Sequence, residues 1–239
     1  MSTFYDELSR YYDTIFPAEP DITGFLAENL NTGRRVLDLA CGTGAYSLEL
    51  ANLGFEVTGI DLDRAMIEKA KSKNNGSVSF LAADMIDGLE NVGTLFDGIF
   101  CIGNSLPHLD SVDDVARALK AWQEILTHDG VLYLQLVNFS RFAVGAPKEL
   151  PVIEIDGLHF QRRYLPGPAG KVVFAATLKV PGNEEVFNNS VDLLALDRDT
   201  LDSLLSDSGL KAVEHYGSYS GEKYDPETSF LLICGAKKK

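Results

Sequence analysis

The stretch VLDLACGTGAYSLELANLGFEVTGID, residues 36–61, constrains the fold more than any other part of the chain. An apolar run ends in Ala-Cys-Gly-Thr-Gly, a short helical pattern follows, and a second apolar run closes on Asp61. Strand, glycine loop, helix and strand form one βαβ unit, which implies a parallel sheet covered by helices on both faces. In such a sheet a ligand lies beyond the carboxyl ends of the strands, where strand order reverses. Gly42 and Gly44 let backbone approach that ligand, and a carboxylate ending the second strand, Asp61, can accept the hydroxyls of a ribose.

The sign of the charge narrows the ligand. A dinucleotide fingerprint reads GxGxxG, but here Ala45, Tyr46 and Ser47 follow Gly44 and the third glycine is missing. Asp38, Asp61, Asp63 and Asp84 all fall at or near strand ends, with no lysine or arginine between residues 36 and 61. A pyrophosphate would meet like charge there. S-adenosylmethionine carries a sulfonium, an ammonium and one carboxylate, so it is net positive and suits an acidic cleft. A nicotinamide-dependent oxidoreductase is the disfavoured alternative.

The rest of the chain extends the pattern. Strands are predicted at 35–39, 56–60, 78–81, 96–102 and 131–137, and helices at 45–53, 64–73 and 112–126. Two helices precede them, at 3–16 and from Asp21, as N-cap, to about residue 30. After Asn138 the rhythm changes. From 151 to 196 only short β-prone runs appear, VIEI, HFQRRYL, KVVFAATLKV and VFNNSVDLLAL, separated by DG, PGPAG and PGN turns. Asp199 is the expected cap of a last helix reaching Ser208, followed by strands at 211–216 and 229–235. Lys237–Lys239 reads as a solvated tail. The expected fold is α/β: a doubly wound, Rossmann-like, mostly parallel seven-stranded sheet, with an antiparallel β unit inserted between strand 5 and the last helix. Residues 1–32 would form a helical lid, 33–140 with 197–239 the cofactor-binding domain, and 141–196 a substrate roof.

Composition excludes several classes. A net charge of −14 over 239 residues leaves no basic face for DNA or RNA. Cys41, Cys101 and Cys234 are far apart and lack CxxC spacing, so neither a metal site nor a disulfide framework follows. No apolar run approaches the roughly 18 residues of a spanning helix. The expectation is a cytoplasmic protein, monomer or homodimer, whose partner is a small molecule rather than nucleic acid or membrane.

VLDLACGTG, the acidic residue in GIDLD, AADM and FDGIFCIGNSLPHL resemble, in order and spacing, the motifs of class I S-adenosylmethionine-dependent methyltransferases. The resemblance implies that Ala40, Gly42 and Gly44 pack along the methionine portion, near Asp38. Asp61 would hold the ribose, with Leu62 and Met66 lining the adenine. Asp84 would accept from the adenine amino group, with Met85 on the ring face, and Ile102 would offer backbone at the methionine end. Plainer roles are also open: Asp38 as a turn cap, Asp84 as a helix cap, Met66 as helix packing.

CIGNSLPHL is similar to the GNS-x-x-HL segment of glycine and sarcosine N-methyltransferases and related small-molecule enzymes, and FYDELSRYYD to their aromatic lid helix. The resemblance therefore implies N-methylation of a small amine, glycine or sarcosine-like. An amino-sugar N-methyltransferase, a quinone or phenol C- or O-methyltransferase, and a non-catalytic cofactor-binding module are the alternatives. His108, Asn104 and the hydroxyls of Tyr5, Tyr11 and Tyr12 are candidates to orient the nucleophile, Tyr12 also to contact the cofactor. His108 could equally be a structural histidine beside Pro107, and Asn104 a turn former. Arg162 and Arg163 are candidates for a substrate carboxylate. Being adjacent in a strand, they point to opposite faces. The sequence departs from the glycine enzymes in one respect, for their arginine upstream of the glycine loop has no counterpart here beyond Arg10.

Overall fold

The computed structural model describes residues 4–93, 95–142, 147–168 and 170–239, apart from the side chains of Tyr5, Asp6 and Phe142. The Tyr5 hydroxyl, residue 3 of the first expected helix and Ala169 of the PGPAG turn lie outside that description. Helices α1 (Phe4–Ile15) and α2 (Pro20–Asn29) precede an alternation of β1 (Arg35–Leu39), α3 (Ala45–Asn52), β2 (Glu56–Asp61), α4 (Arg64–Lys73), β3 (Val78–Ala82), β4 (Phe96–Cys101), α5 (Val112–Ile125) and β5 (Leu126–Val137). Strands β6 (Lys148–Glu149), β7 (Ile153–Ile155), β8 (Leu158–Pro166), β9 (Lys171–Lys179) and β10 (Val186–Leu194) form the insertion. Helix α6 (Arg198–Asp207), β11 (Leu210–Tyr216) and β12 (Leu231–Lys238) complete the chain.

The main sheet has seven strands in the order β11-β12-β5-β4-β1-β2-β3. Strands β1 to β5 pair in parallel, and β12 runs antiparallel to both β5 and β11. Order reverses between β1 and β4, so the carboxyl ends of those two strands flank the ligand-binding crevice of this architecture. Alternation along β1 feeds both cores. Leu37 and Leu39 join Val115, Leu119 and Trp122 of α5 with Leu201 and Leu205 of α6. Val36 joins Phe25 and Leu26 of α2, Leu50 of α3 and Ile67 of α4 on the other face.

The insertion forms a separate antiparallel sheet, β10-β9-β8-β6, with β7 also paired to β8. Helix α1 packs on this sheet and not on the main one: Phe4, Leu8 and Ile15 share a core with Leu158, Phe160, Leu178 and Phe187. The two N-terminal helices therefore part company. Helix α1 shares its core with the inserted sheet, and α2 with one face of the main sheet.

Three boundary expectations are corrected. Helix α2 starts on Pro20 with Glu19 as N-cap, because proline fits the first helical position and has no N–H to leave unpaired; Asp21 lies inside the first turn. Asp197, not Asp199, caps α6, its carboxylate accepting from Thr200 N at 2.8 Å. Lys237 and Lys238 are not a loose tail, since they pair with Lys211 and Leu210 across β12 and β11, and Lys239 donates to Ser206.

Candidate active site

Strand β1 delivers the chain to a loop whose backbone is left-handed at three positions, Ala40 (φ 57°), Gly42 (φ 55°) and Gly44 (φ 75°). The glycines adopt this without penalty; at Ala40 it is strain, which persists only where surrounding contacts over-determine the backbone. Those contacts are present: Cys41 N donates to Ile60 O at 2.9 Å, and Gly42 N to Asp61 Oδ2 at 2.8 Å. Asp61 also accepts from Asp63 N through Oδ1 at 2.9 Å, so one carboxylate ties the loop to the end of β2. At Gly44 an added Cβ would come within 2.4 Å of Phe80 Cζ, which leaves no room for a side chain.

A cavity of about 370 Å³ opens beyond these strand ends, lined by Ala40, Gly42, Asp61, Leu62, Met66, Asp84 and Met85, with Ser105, His108 and Leu109 opposite. The residues expected from the sequence to hold a nucleoside thus share one wall. Asp84 Oδ1 accepts from Ile86 N (2.7 Å) and Asp87 N (3.1 Å), which turns the chain after β3. Trp122 Nε1 donates to Met85 O at 2.7 Å and holds that residue in place. Met66 is buried on α4 yet still reaches the cavity, whereas Leu62 is 73% exposed.

A second cavity, about 460 Å³, continues past the loop under the inserted sheet. Asp38, Ala40, Cys41, Thr43, Ala45 and Ile102 form its floor; Phe16, Glu19, Tyr46, Ile153 and Arg162 are among its walls. Tyr12 lines both cavities and stands between them, its ring 3.5 Å from where a Cβ on Gly42 would lie. Burial, with Asp61 and Asp13 adding, pushes its hydroxyl up to about 12, so it keeps its proton and cannot serve as a base near neutrality. Asp38 is buried and accepts from Ser47 Oγ at 2.6 Å. Burial pushes its carboxyl up to about 8, opposed by the Ser47 bond and reinforced by Asp61.

Other candidates fall in different places. His108 lines the first cavity, not the second, and burial lowers its proton affinity. Asn104 is left-handed (φ 64°) and buried, and its Oδ1 accepts from Val137 N at 2.8 Å, so its carboxamide oxygen serves the turn. It lines neither cavity. Ile102 O already accepts from Ser105 Oγ at 3.0 Å. Of the two arginines, Arg162 reaches the second cavity, sharing its strand face with Phe160 and Tyr164, and Arg163 is exposed. Arg10 is bound to Glu7 at 3.0 Å and lines neither cavity.

Sequence reasoning missed Asp13, which accepts from Thr43 Oγ1 in the loop and from Lys73 Nζ of α4 at 2.7 Å, pinning α1 over the cleft. It also missed Phe16, Glu19 and Tyr46 as walls. Tyr46, directly after the glycines, was the one with a positional signal. Among the described residues one group could hold a metal, Asp202, His215 and Cys234, but it lies on α6 and the outer strands rather than at this crevice.

Residues 36–130 match the family model described as a methyltransferase domain. This chain is similar to a Bacillus subtilis (strain 168) protein named as a methyltransferase, 36% identical over 149 residues, 60% of this chain and 59% of that one. It is 33% identical over 210 residues to a glycine/sarcosine N-methyltransferase of Aphanothece halophytica, covering 86% of this chain and 76% of the relative. The solved structure of CalS10, a SAM-bound amino pentose methyltransferase from Micromonospora echinaspora, shares the fold with a TM-score of 0.76 at 22% identity, over 98% of this chain and 97% of that one.

Proposed function

The chain belongs to the class I S-adenosylmethionine-dependent methyltransferases, and on that premise we propose that it methylates the nitrogen of a small-molecule amine. The observation that carries this reading is the pair of cavities meeting at Tyr12, one acidic and nucleoside-sized, the other aromatic-walled and roofed by the inserted sheet. Features that support the cofactor here are the left-handed glycines, which allow backbone approach, and the Asp61 and Asp84 carboxylates of the same cavity, which can accept from ribose hydroxyls and a purine amine. When bound, the cofactor supplies a methyl group on a sulfonium, a good leaving group.

The chain's own residues then need to align and shield more than to activate. A phenol or alcohol must lose a proton to react; Tyr12 and the buried Cys41 thiol hold theirs, which leaves the Asp38 and Glu19 carboxylates as the groups on the second cavity that could take it. A neutral amine attacks with its own lone pair. The Tyr12 oxygen can accept an N–H of such an amine while Phe16, Tyr46 and Ile153 exclude water. The names of the relatives support amines as the class, since the Aphanothece halophytica protein is named for glycine and sarcosine and CalS10 for an amino pentose.

Methyl-transfer assays over glycine, sarcosine, amino sugars, alkylamines and phenols test the proposal. Turnover confined to amines is expected. Turnover of phenols with none of the amines would reject it.

A further inference from the structure

Arginine supply around the two cavities is very uneven. Among the described residues lining them, Arg162 alone carries a permanent positive charge, against Asp61, Asp63 and Asp84 in one and Asp38 and Glu19 in the other. The remaining arginines near the cleft in sequence are engaged elsewhere. Arg10 pairs with Glu7, Arg34 donates to Gly54 O at 2.8 Å, and Arg35 lies 3.6 Å from Asp97, the latter two at the start of β1 rather than at its carboxyl end.

Arg162 is also held in an unfinished state. Its guanidinium lies over the Phe160 ring (5.3 Å to the centroid) and the Phe16 ring (5.8 Å), and Nη2 donates to Pro151 O at 3.0 Å. Nε is buried without any partner. A buried guanidinium N–H with no acceptor costs free energy unless a ligand supplies one, and a carboxylate is the acceptor a guanidinium matches best. The cavity it shares has Asp38, Ala40, Cys41, Thr43 and Ala45 as its floor, the part of the site nearest the glycine loop.

Building on the cofactor assigned above, we infer that Arg162 holds the carboxylate of the cofactor's methionyl group, and that the acceptor is an amine without a carboxylate of its own. The electrostatics run in one direction. The methionyl carboxylate must enter a chamber lined by the Glu19 carboxylate and by Asp38, which adds a second like charge once it ionises, and like charges at close range repel. With Arg162 given to the acceptor, that carboxylate would keep neutral donors alone among the described lining residues, such as the backbone N–H groups that open α3. With Arg162 given to the cofactor, the acceptor faces Phe16, Tyr46, Ile153 and Glu19, which suit an amino sugar or alkylamine and leave no cation for an amino acid among the described lining residues.

Calorimetry on the full chain with two ligands tests this: S-adenosylhomocysteine, and S-adenosyl-3-thiopropylamine, the same molecule lacking its carboxylate. Arg162→Met is expected to weaken the first by about tenfold or more and to leave the second unchanged, with Arg162→Lys intermediate for the first. The unmodified protein is expected to turn over amino sugars or alkylamines and not glycine or sarcosine; turnover of glycine with Arg162 bound to the cofactor carboxylate would overturn the second half of the inference. Equal weakening of both ligands in both variants would overturn the inference, because the residue would then act through packing of the roof. Unchanged affinity for both, with a raised KM for glycine, would overturn it in favour of acceptor binding. Failure of the unmodified protein to bind either ligand would instead remove the cofactor premise itself.

Discussion

Asp61 shows how a single carboxylate does two jobs. Both its oxygens already accept backbone N–H groups, one in the glycine loop and one at the start of α4's cap, so the ribose would meet a pre-positioned acceptor. Asp61→Ala is expected to weaken S-adenosylhomocysteine by roughly 1.5–3 kcal/mol in calorimetry, since charge-assisted hydrogen bonds vanish and the loop loses its tether. Asp38 makes the site pH-sensitive. Its folded pKa, about 8, lies above the ordinary value of 3.8, so the carboxyl is protonated below that pH and ionises above it. A cofactor ammonium favours the ionised form; affinity should therefore rise between about pH 6 and 8 and flatten beyond, a rise that Asp38→Asn would abolish. The same shift costs the cofactor-free fold stability as pH climbs from about 4 to about 8, the range in which the folded state holds a proton that the unfolded state has lost. Asn104 is a turn residue first. Asn104→Ala should destabilise by about 1–3 kcal/mol in chemical denaturation, losing the Val137 bond and straining the left-handed backbone, with Asn104→Gly milder. A folded Asn104→Ala with native stability and no turnover would instead mark it as a catalytic residue.

At the scale of elements, the loop after β1 depends on space as much as on conformation. Gly44→Ala combines φ 75° with a Cβ 2.4 Å from Phe80 Cζ, so the start of α3 must shift. We expect loss of cofactor binding together with a lower melting temperature; a variant that binds normally would show that the loop tolerates rearrangement. Helix α1 is fastened to the loop and to α4 through Asp13, and to α4 again by Lys69 donating to Ser9 O. The strands were legible because β1 is buried on both faces and reads as a continuous apolar run. The caps were less so, since Asp197 and Asp199 are chemically equivalent and only the backbone path chooses between them. Likewise a run of three lysines looks solvated until a neighbouring strand offers it a ladder.

For the whole molecule, the excess of carboxylates sets a preference for cations. With a net charge of −14, long-range attraction should speed the encounter with S-adenosylmethionine and slow that with a dinucleotide. S-adenosylhomocysteine should raise the melting temperature at low millimolar concentration and NAD should not; the reverse result would contradict the assignment. No helix among the described residues is long and apolar enough to cross a membrane. The molecule's two sheets cooperate at the second cavity, where Tyr12 of α1, Phe16 just after it and Arg162 of β8 meet residues at and beyond the carboxyl ends of β1 and β4.

The order of strands, the glycine loop and the acidic residues at strand ends are local matters, governed by hydrophobic period and by the conformational freedom of glycine, and the amino-acid sequence by itself determined them. Which of Arg162 and Arg163 faces the second cavity, why His108 lines the first one and why Asn104 supports a turn were decided only in three dimensions. Adjacent residues on a strand differ by face alone, and the face is assigned by what another sheet or helix packs against it.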